Sequence, residues 1–279
     1  MKPGLWLTIA AAAALSLAGA AGSTLLSSTP LSEPAHRHKL TRALDEISGL
    51  AATPDGRLLA HEDQHAVVYE LDRTSGAVVK TFTLGRDLRG DFEGIAVADD
   101  AVYLVTSSGK LVWGLEGSDG EEVAYEGIDT GVDEHCREVE GLAFEPTERN
   151  LVLACKRSRG ANGDVVLFRW SVDDRKLTEP VWRTLRRKAL TPPDESNGFR
   201  ASGLARDART GNWLLLSASP PAIAELTPDA EVLEVRKLKG SHHRQPEGIS
   251  VTPDTLWIAD EGAGKRARLA AYGFEEDSH

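Results

Sequence analysis

Short apolar segments recur along the chain and are separated by turn sequences. In Ala66–Asp72, for example, Val67, Tyr69 and Leu71 alternate with their neighbours, which is typical of a β-strand with one buried face. The same reading predicts further strands at Arg57–His61, Val78–Leu84, Ala101–Thr106, Lys110–Glu116, Asn150–Lys156, Asp164–Asp173, Glu179–Thr184, Asn212–Ser217, Ala222–Thr227, Glu231–Leu238, Thr255–Asp260 and Arg268–Phe274. The pattern therefore predicts an all-β protein.

Five further segments share a glycine motif: Glu46–Ala51, Phe92–Ala96, Val139–Ala143, Ala201–Ala205 and Pro246–Ser250. Their glycines lie 45, 47, 62 and 45 residues apart. A repeat of this length built from strands is typical of a β-propeller, in which each repeat forms one four-stranded antiparallel blade. We favour five blades over six, because the surplus segment Leu185–Arg200 is too short for four more strands and predicts a loop or short helix.

The last repeat is one strand short when the chain stops. His36–Leu44 precedes the first motif, and we expect it to supply that missing outer strand. Such pairing would close the ring and remove exposed sheet edges.

The residue before each motif glycine is the candidate for chemistry, because the first strand of every blade lines the central channel. These positions, called the ring positions below, are Ser48, Glu93, Glu140, Ser202 and Glu247. Buried glutamates need a cation or water, and the second strands end in further acids at Glu62, Asp260 and Glu261. A set of oxygen ligands at channel width predicts Ca²⁺ in preference to Mg²⁺.

A solvated channel is an equally weighted alternative, in which Lys156 and Arg157 neutralise some of the carboxylates. A third interpretation makes this basic pair an anion or phosphate contact. No sequence motif for a catalytic nucleophile is present, and we assign no catalytic residue.

The first 22 residues predict a secretory signal, since Lys2 is followed by the apolar run Leu5–Leu17 and then by small residues. Residues 23–35 are interpreted as a linker and 36–279 as the propeller domain. We expect an exported protein of the periplasm, envelope or medium, with an uncleaved membrane anchor as the alternative. In that setting Cys136 and Cys155 would form a disulfide or remain two buried thiols, and both readings stay open.

The net charge of −11 argues against nucleic acid and favours cations or basic partners. We expect a monomer that binds an unknown protein or a small anionic ligand, with peripheral membrane association as an additional expectation.

The order of serine and glutamate across the five motifs resembles the SdiA-regulated (YjiK/CarP-like) family of bacterial envelope propellers, over roughly Leu40 to Phe274. More distantly, the motifs resemble those of esterase-like phytases. The resemblance implies an exported single-domain propeller linked to calcium responses. By position, the resemblance matches Glu93, Glu140 and Glu247 to the family's inner acidic residues. It matches Lys156 to a basic residue after the second strand of the third blade, and Glu261 to an acidic residue of the fifth.

Two functions follow from these observations. The first is a non-catalytic calcium-linked binding or scaffold propeller, which we favour. The second is a metal-dependent phosphoesterase or esterase-like hydrolase, with Glu140 or Glu247 as base and the basic pair holding the anion.

Overall fold

Five β-sheets are arranged as successive blades in the computed structural model, which describes residues 24–160 and 163–274. Each sheet is a four-stranded antiparallel meander, and the sheets of blades one and three carry one additional short strand. The predicted all-β, five-bladed architecture is confirmed. The predicted signal segment, residues 1–22, lies outside the described residues.

In blades one to four the strands follow the chain from the innermost strand outward, and in blade five the first three strands do so. Their bounds are Ile47–Ala52, Leu58–Glu62, Val67–Leu71 and Val78–Leu84 in blade one; Phe92–Ala98, Ala101–Thr106, Lys110–Leu115 and Glu126–Asp129 in blade two; Val139–Glu145, Asn150–Cys155, Val165–Ser171, Lys176–Leu177 and Arg183–Leu185 in blade three; Ala201–Arg206, Trp213–Ala218, Pro221–Leu226 and Val232–Lys237 in blade four; and Pro246–Thr252, Thr255–Asp260 and Arg268–Gly273 in blade five. The short helices are Leu26–Ser28, Arg42–Leu44, Val132–Glu134 and Arg187–Leu190.

The ring closes on itself through apolar layers between neighbouring blades. The innermost strands touch in cyclic order, including blade five against blade one. One buried cluster joins Leu50 and Leu58 of blade one to Trp257 and Leu269 of blade five, and four similar clusters fill the other junctions. Because each blade buries both faces, burial of these clusters is the main force that holds the wheel together.

The N-terminal segment supplies the outer strand of blade five. His36–Lys39 pairs antiparallel with Arg268–Gly273, and the chain then turns into the 3-10 helix Arg42–Leu44. The strand is therefore shorter than the expected His36–Leu44. Upstream, the amides of Leu25 and Leu26 each donate a 2.9 Å hydrogen bond to the buried carboxylate of Glu225 in blade four.

Two outer edges differ from the sequence pattern. Glu121–Val123 leaves blade two and pairs in parallel with Val78–Leu84, the outer strand of blade one. In blade three, the expected strand Glu179–Thr184 is replaced by two short pieces that both pair with Val165–Ser171. Outer strands have little apolar content to fix their bounds, so the pattern located them poorly.

Cys136 and Cys155 form a disulfide between the start of blade three and its second strand. No helix within residues 24–160 and 163–274 has the length and apolar character needed to cross a membrane.

Candidate functional site at the channel mouth

A β-bulge occupies every ring position. In all five blades the pairing register of the inner strand skips the residue before the motif glycine, which leaves that residue without a partner in the second strand. A bulge bends the strand and redirects the unpaired side chain, and bulges are enriched beside functional sites. The glycine motif therefore coincides with a β-bulge in every blade. The bulge sets the direction of the side chain at each ring position.

The five motifs converge on one narrow cavity. Its lining includes Ser48 of blade one, Glu93 of blade two, Gly141 of blade three, Gly203 of blade four and Glu247 of blade five. Its volume of about 10 Å³ is about the space that one water molecule requires. The channel is therefore nearly closed at this level, where Glu93 and Glu247 contribute to its wall.

Close packing of the glycines explains this constriction. A Cβ atom on Gly94 would lie 2.8 Å from the backbone nitrogen of Leu142, and one on Gly141 would lie 2.9 Å from that of Leu204. Only a residue without Cβ permits such an approach between neighbouring inner strands.

Glu93, Glu140 and Glu247, the glutamate triad, share a strongly perturbed environment. Burial, followed by the nearby carboxylate of Glu140, raises the pKa of Glu93 to about 9. Burial also raises the pKa of Glu140 to about 8 and that of Glu247 to about 7, although Lys156 acts to lower both. The pKa values of all three glutamates therefore lie above the ordinary range of a carboxyl group.

Lys156 is the cation at this mouth. Its Nζ lies 2.9 Å from Oε1 of Glu140 and 3.3 Å from Oε1 of Glu138. Burial would lower the pKa of Lys156, but these two carboxylates hold it above its usual range. Arg157 pairs with Glu138 at 3.0 Å and is largely exposed. The charges of both basic residues are thus already offset by acidic neighbours.

Two other predicted metal ligands, Glu62 and Asp260, form hydrogen bonds with groups of nearby loops. Glu62 accepts hydrogen bonds from the amide of Gln64 at 3.0 Å and lies 2.7 Å from Nδ1 of His65. Asp260 contacts Nδ1 of His243 at 2.8 Å and accepts the amide of Arg244 at 2.8 Å. Both carboxylates therefore have local partners that fix the chain around the mouth.

Glu261 lies at the margin of the mouth. Burial, followed by a hydrogen bond with Glu46, raises its pKa to about 7, and the side chain of Gln245 donates to its carboxylate. Burial, followed by the charge of Glu62, raises the pKa of nearby Asp63 to about 6. Excess negative charge therefore extends from the triad toward blades one and five.

A second polar layer at this mouth was missed by the sequence reasoning. It consists of the residues two positions before the ring positions: Glu46, Asp91, Glu138, Arg200 and Gln245. Among them, Glu138 pairs with both Lys156 and Arg157, and Asp91 accepts a 2.5 Å hydrogen bond from the Ser107 hydroxyl. The sequence contains the pattern that predicts this layer, because four of the five repeats carry an acid or an amide two positions before the ring residue.

The described carboxylates do not form a ready-made metal centre. Within residues 24–160 and 163–274, no group of three or more His, Cys, Asp or Glu side chains is arranged to hold a metal ion. The ammonium group of Lys156 lies 2.9 Å from Glu140 and offsets part of the negative charge of these carboxylates. The donor set itself is all oxygen, which is the chemistry of a hard cation.

Comparison with protein families identifies the chain. A family model described as SdiA-regulated matches residues 32–263. The chain belongs to the SdiA-regulated family. The match spans all five ring positions of this SdiA-regulated protein and the strand that closes blade five. A search of curated proteins finds no match.

Solved structures share the fold at low sequence identity. A glutaminyl cyclase from Myxococcus xanthus has a TM-score of 0.57 at 14% identity, covering 88% of this chain and 97% of its own. A PQQ-bound aldose sugar dehydrogenase from Streptomyces coelicolor has a TM-score of 0.56 at 14% identity, with 89% of this chain and 100% of its own covered. These similarities show that the SdiA-regulated protein shares the propeller fold, and they assign no activity to it.

Proposed function

We propose that this protein is an exported binding propeller whose channel mouth takes up a divalent cation, with Ca²⁺ as the leading candidate. The observation that carries the proposal is the charge imbalance of the glutamate triad. One buried carboxylate, that of Glu140, and two half-buried ones, those of Glu93 and Glu247, are redirected by bulges into one mouth, where the half-buried ammonium group of Lys156 is the nearby cation. A cation is the ligand that such an imbalance favours.

Uptake of a cation requires the carboxyl groups of the glutamate triad to lose protons and to rearrange. Because burial and mutual repulsion keep these carboxyl groups partly protonated near neutral pH, a cation must compete with protons for them. The side chains must also rearrange, since no preformed metal centre is present among the described residues. We expect binding to be weak at pH 6 and to strengthen as the pH rises through the range from about 7 to about 9.

Export to the cell envelope is part of the same proposal. The Cys136–Cys155 disulfide supports it, because such bonds persist mainly outside the cytoplasm. The predicted signal over residues 1–22 is a second, sequence-level support.

Titration calorimetry tests the proposal directly. We expect Ca²⁺ to bind the wild-type protein at about pH 8.5 with release of about one proton or more, measured as a dependence of the heat on buffer ionisation enthalpy. The double variant E93Q/E247Q should lose this signal. The matched control E179Q/E231Q removes two exposed carboxylates away from the mouth and should bind normally.

Absence of heat with Ca²⁺ in the wild-type protein, or equal binding by E93Q/E247Q, would contradict the proposal. Mg²⁺ in parallel tests the expected preference, since the smaller ion demands stricter geometry. A metal-dependent hydrolase would need the same ion, so the experiment also tests the first requirement of that alternative.

A further inference from the structure

A second charged feature lies on blade five, apart from the glutamate triad. It is a groove of about 520 Å³, which is within the range of small-molecule sites. Its walls are the N-terminal strand His36–Lys39, the loop before the inner strand of blade five and the turn after Asp260. Six basic residues line it: Arg37, Lys39, Arg244, Lys265, Arg266 and Arg268.

Two of these basic residues have fixed structural partners. Arg37 contacts Nδ1 of His242 at 3.1 Å and donates to its carbonyl oxygen at 2.9 Å. Arg266 donates to the carbonyl of Leu40 and lies 3.4 Å from Asp45. They shape the wall of the groove.

The other four make no ion pair within the part of the chain that the structure describes. Lys39, Arg244, Lys265 and Arg268 are all exposed. The groove therefore brings several uncompensated cations together on a chain of net charge −11.

Strand register brings two of these cations together. Lys39 lies directly opposite Arg268 in the antiparallel pair formed by the N-terminal strand. Like charges at such positions are destabilising. A bound anion between them would convert this repulsion into attraction.

Two acids, Asp260 and Glu261, line the groove against six basic residues, so the basic side chains outnumber them. Asp260 points inward, with one oxygen on Nδ1 of His243 and the other accepting backbone amides. His243 is fully buried, and its Nε2 lies 2.7 Å from the Tyr272 hydroxyl. Glu261 is engaged by Gln245. The Asp260–His243–Tyr272 network thus stiffens the floor and leaves the rim basic.

We propose that this blade-five groove binds an anion that carries two or more phosphate groups. Arginine and lysine side chains on three separate walls suit phosphates that are spaced apart, because guanidinium groups bind phosphate oxygens in pairs and ammonium groups act as point charges. Soluble oligophosphates and the phosphates of a lipid surface share this chemistry.

The test compares one groove variant with a matched control. K39Q/R244Q/K265Q removes three groove cations, and K110Q/K176Q/R186Q removes two exposed lysines and one exposed arginine from other blades and loops. One arm titrates sodium tripolyphosphate into each protein by calorimetry. The other sediments each protein with phosphatidylcholine vesicles that contain about 30% phosphatidylglycerol.

We expect wild-type protein to bind in at least one arm, and the groove variant to bind about 30-fold more weakly. The control should keep its affinity. Binding in the first arm identifies a soluble phosphate source, and binding only in the second identifies a lipid surface. No binding in either arm, or equal loss in the control, would overturn the proposal.

Folding of the groove variant is checked by its melting temperature, which should not fall because K39Q relieves the repulsion with Arg268. R244Q alone, which changes one exposed loop residue, gives a second test with an expected loss of about fivefold. The glutamate triad is untouched by these changes, so failure of this proposal leaves the cation proposal standing.

Discussion

Replacing Gly141 with alanine should destabilise the protein by about 3 kcal/mol, the upper part of the usual range for overpacking. The added Cβ would lie 2.9 Å from the backbone nitrogen of Leu204 and 3.0 Å from its Cβ. Backbone atoms of a neighbouring inner strand cannot move aside without opening the ring. Chemical denaturation of the wild-type and variant proteins measures the difference in the free energy of unfolding.

Gly240 provides the matched control, because an added Cβ there meets no atom within 4 Å. G240A should stay within about 0.5 kcal/mol of the wild-type protein. If G141A were as stable as G240A, the inner strands of blades three and four could not be as close as described.

Changing Glu93 to glutamine should stabilise the protein at pH 8 and leave its stability at pH 5 nearly unchanged. The folded pKa of Glu93, about 9, lies above its ordinary value of 4.5. Between these values the folded state binds more protons than the unfolded state, so the stability of the wild-type protein falls as pH rises through this window. Glutamine cannot ionise, and E93Q lacks this loss.

The gain at pH 8 should be about 2 kcal/mol, since each pKa unit corresponds to about 1.4 kcal/mol and partial exposure screens much of the shift. Denaturation at several pH values, with E179Q as an exposed control, measures it. Equal pH dependence in wild-type and E93Q proteins would mean that Glu93 titrates as an ordinary surface carboxyl.

The repeat was sufficient to predict the wheel, because a glycine motif that recurs at a blade-length interval leaves few other ways to bury every strand. It also indicated which residues meet, since Glu93 and Glu247 line one cavity with Ser48. The bulges behind this convergence were not predicted. A register shift depends on pairing with the second strand, and the residues of the inner strand alone do not specify it.

Side-chain direction limited the prediction of the site. Glu62 and Asp260 do end the second strands, as the pattern indicated, yet their carboxylates bind local loop groups at His65 and His243. Glu138 was not predicted as a site residue because it lies before the glycine motif, although its carboxylate pairs directly with Lys156. The sequence does not decide whether Cys136 and Cys155 form a disulfide, because their spacing permits a bond and only the hairpin geometry brings the two sulfur atoms together.

The most direct test of the glutamate triad is a ¹³C NMR titration of glutamate side-chain carboxyl groups from about pH 3 to about pH 10. We predict resonances that titrate with apparent pKa values between about 7 and about 9, and a downward shift in the pKa values of Glu93 and Glu140 when E247Q removes a carboxylate that raises both. A spectrum in which every glutamate titrates between about 4 and about 5 would contradict convergence of the triad at a shared, buried mouth.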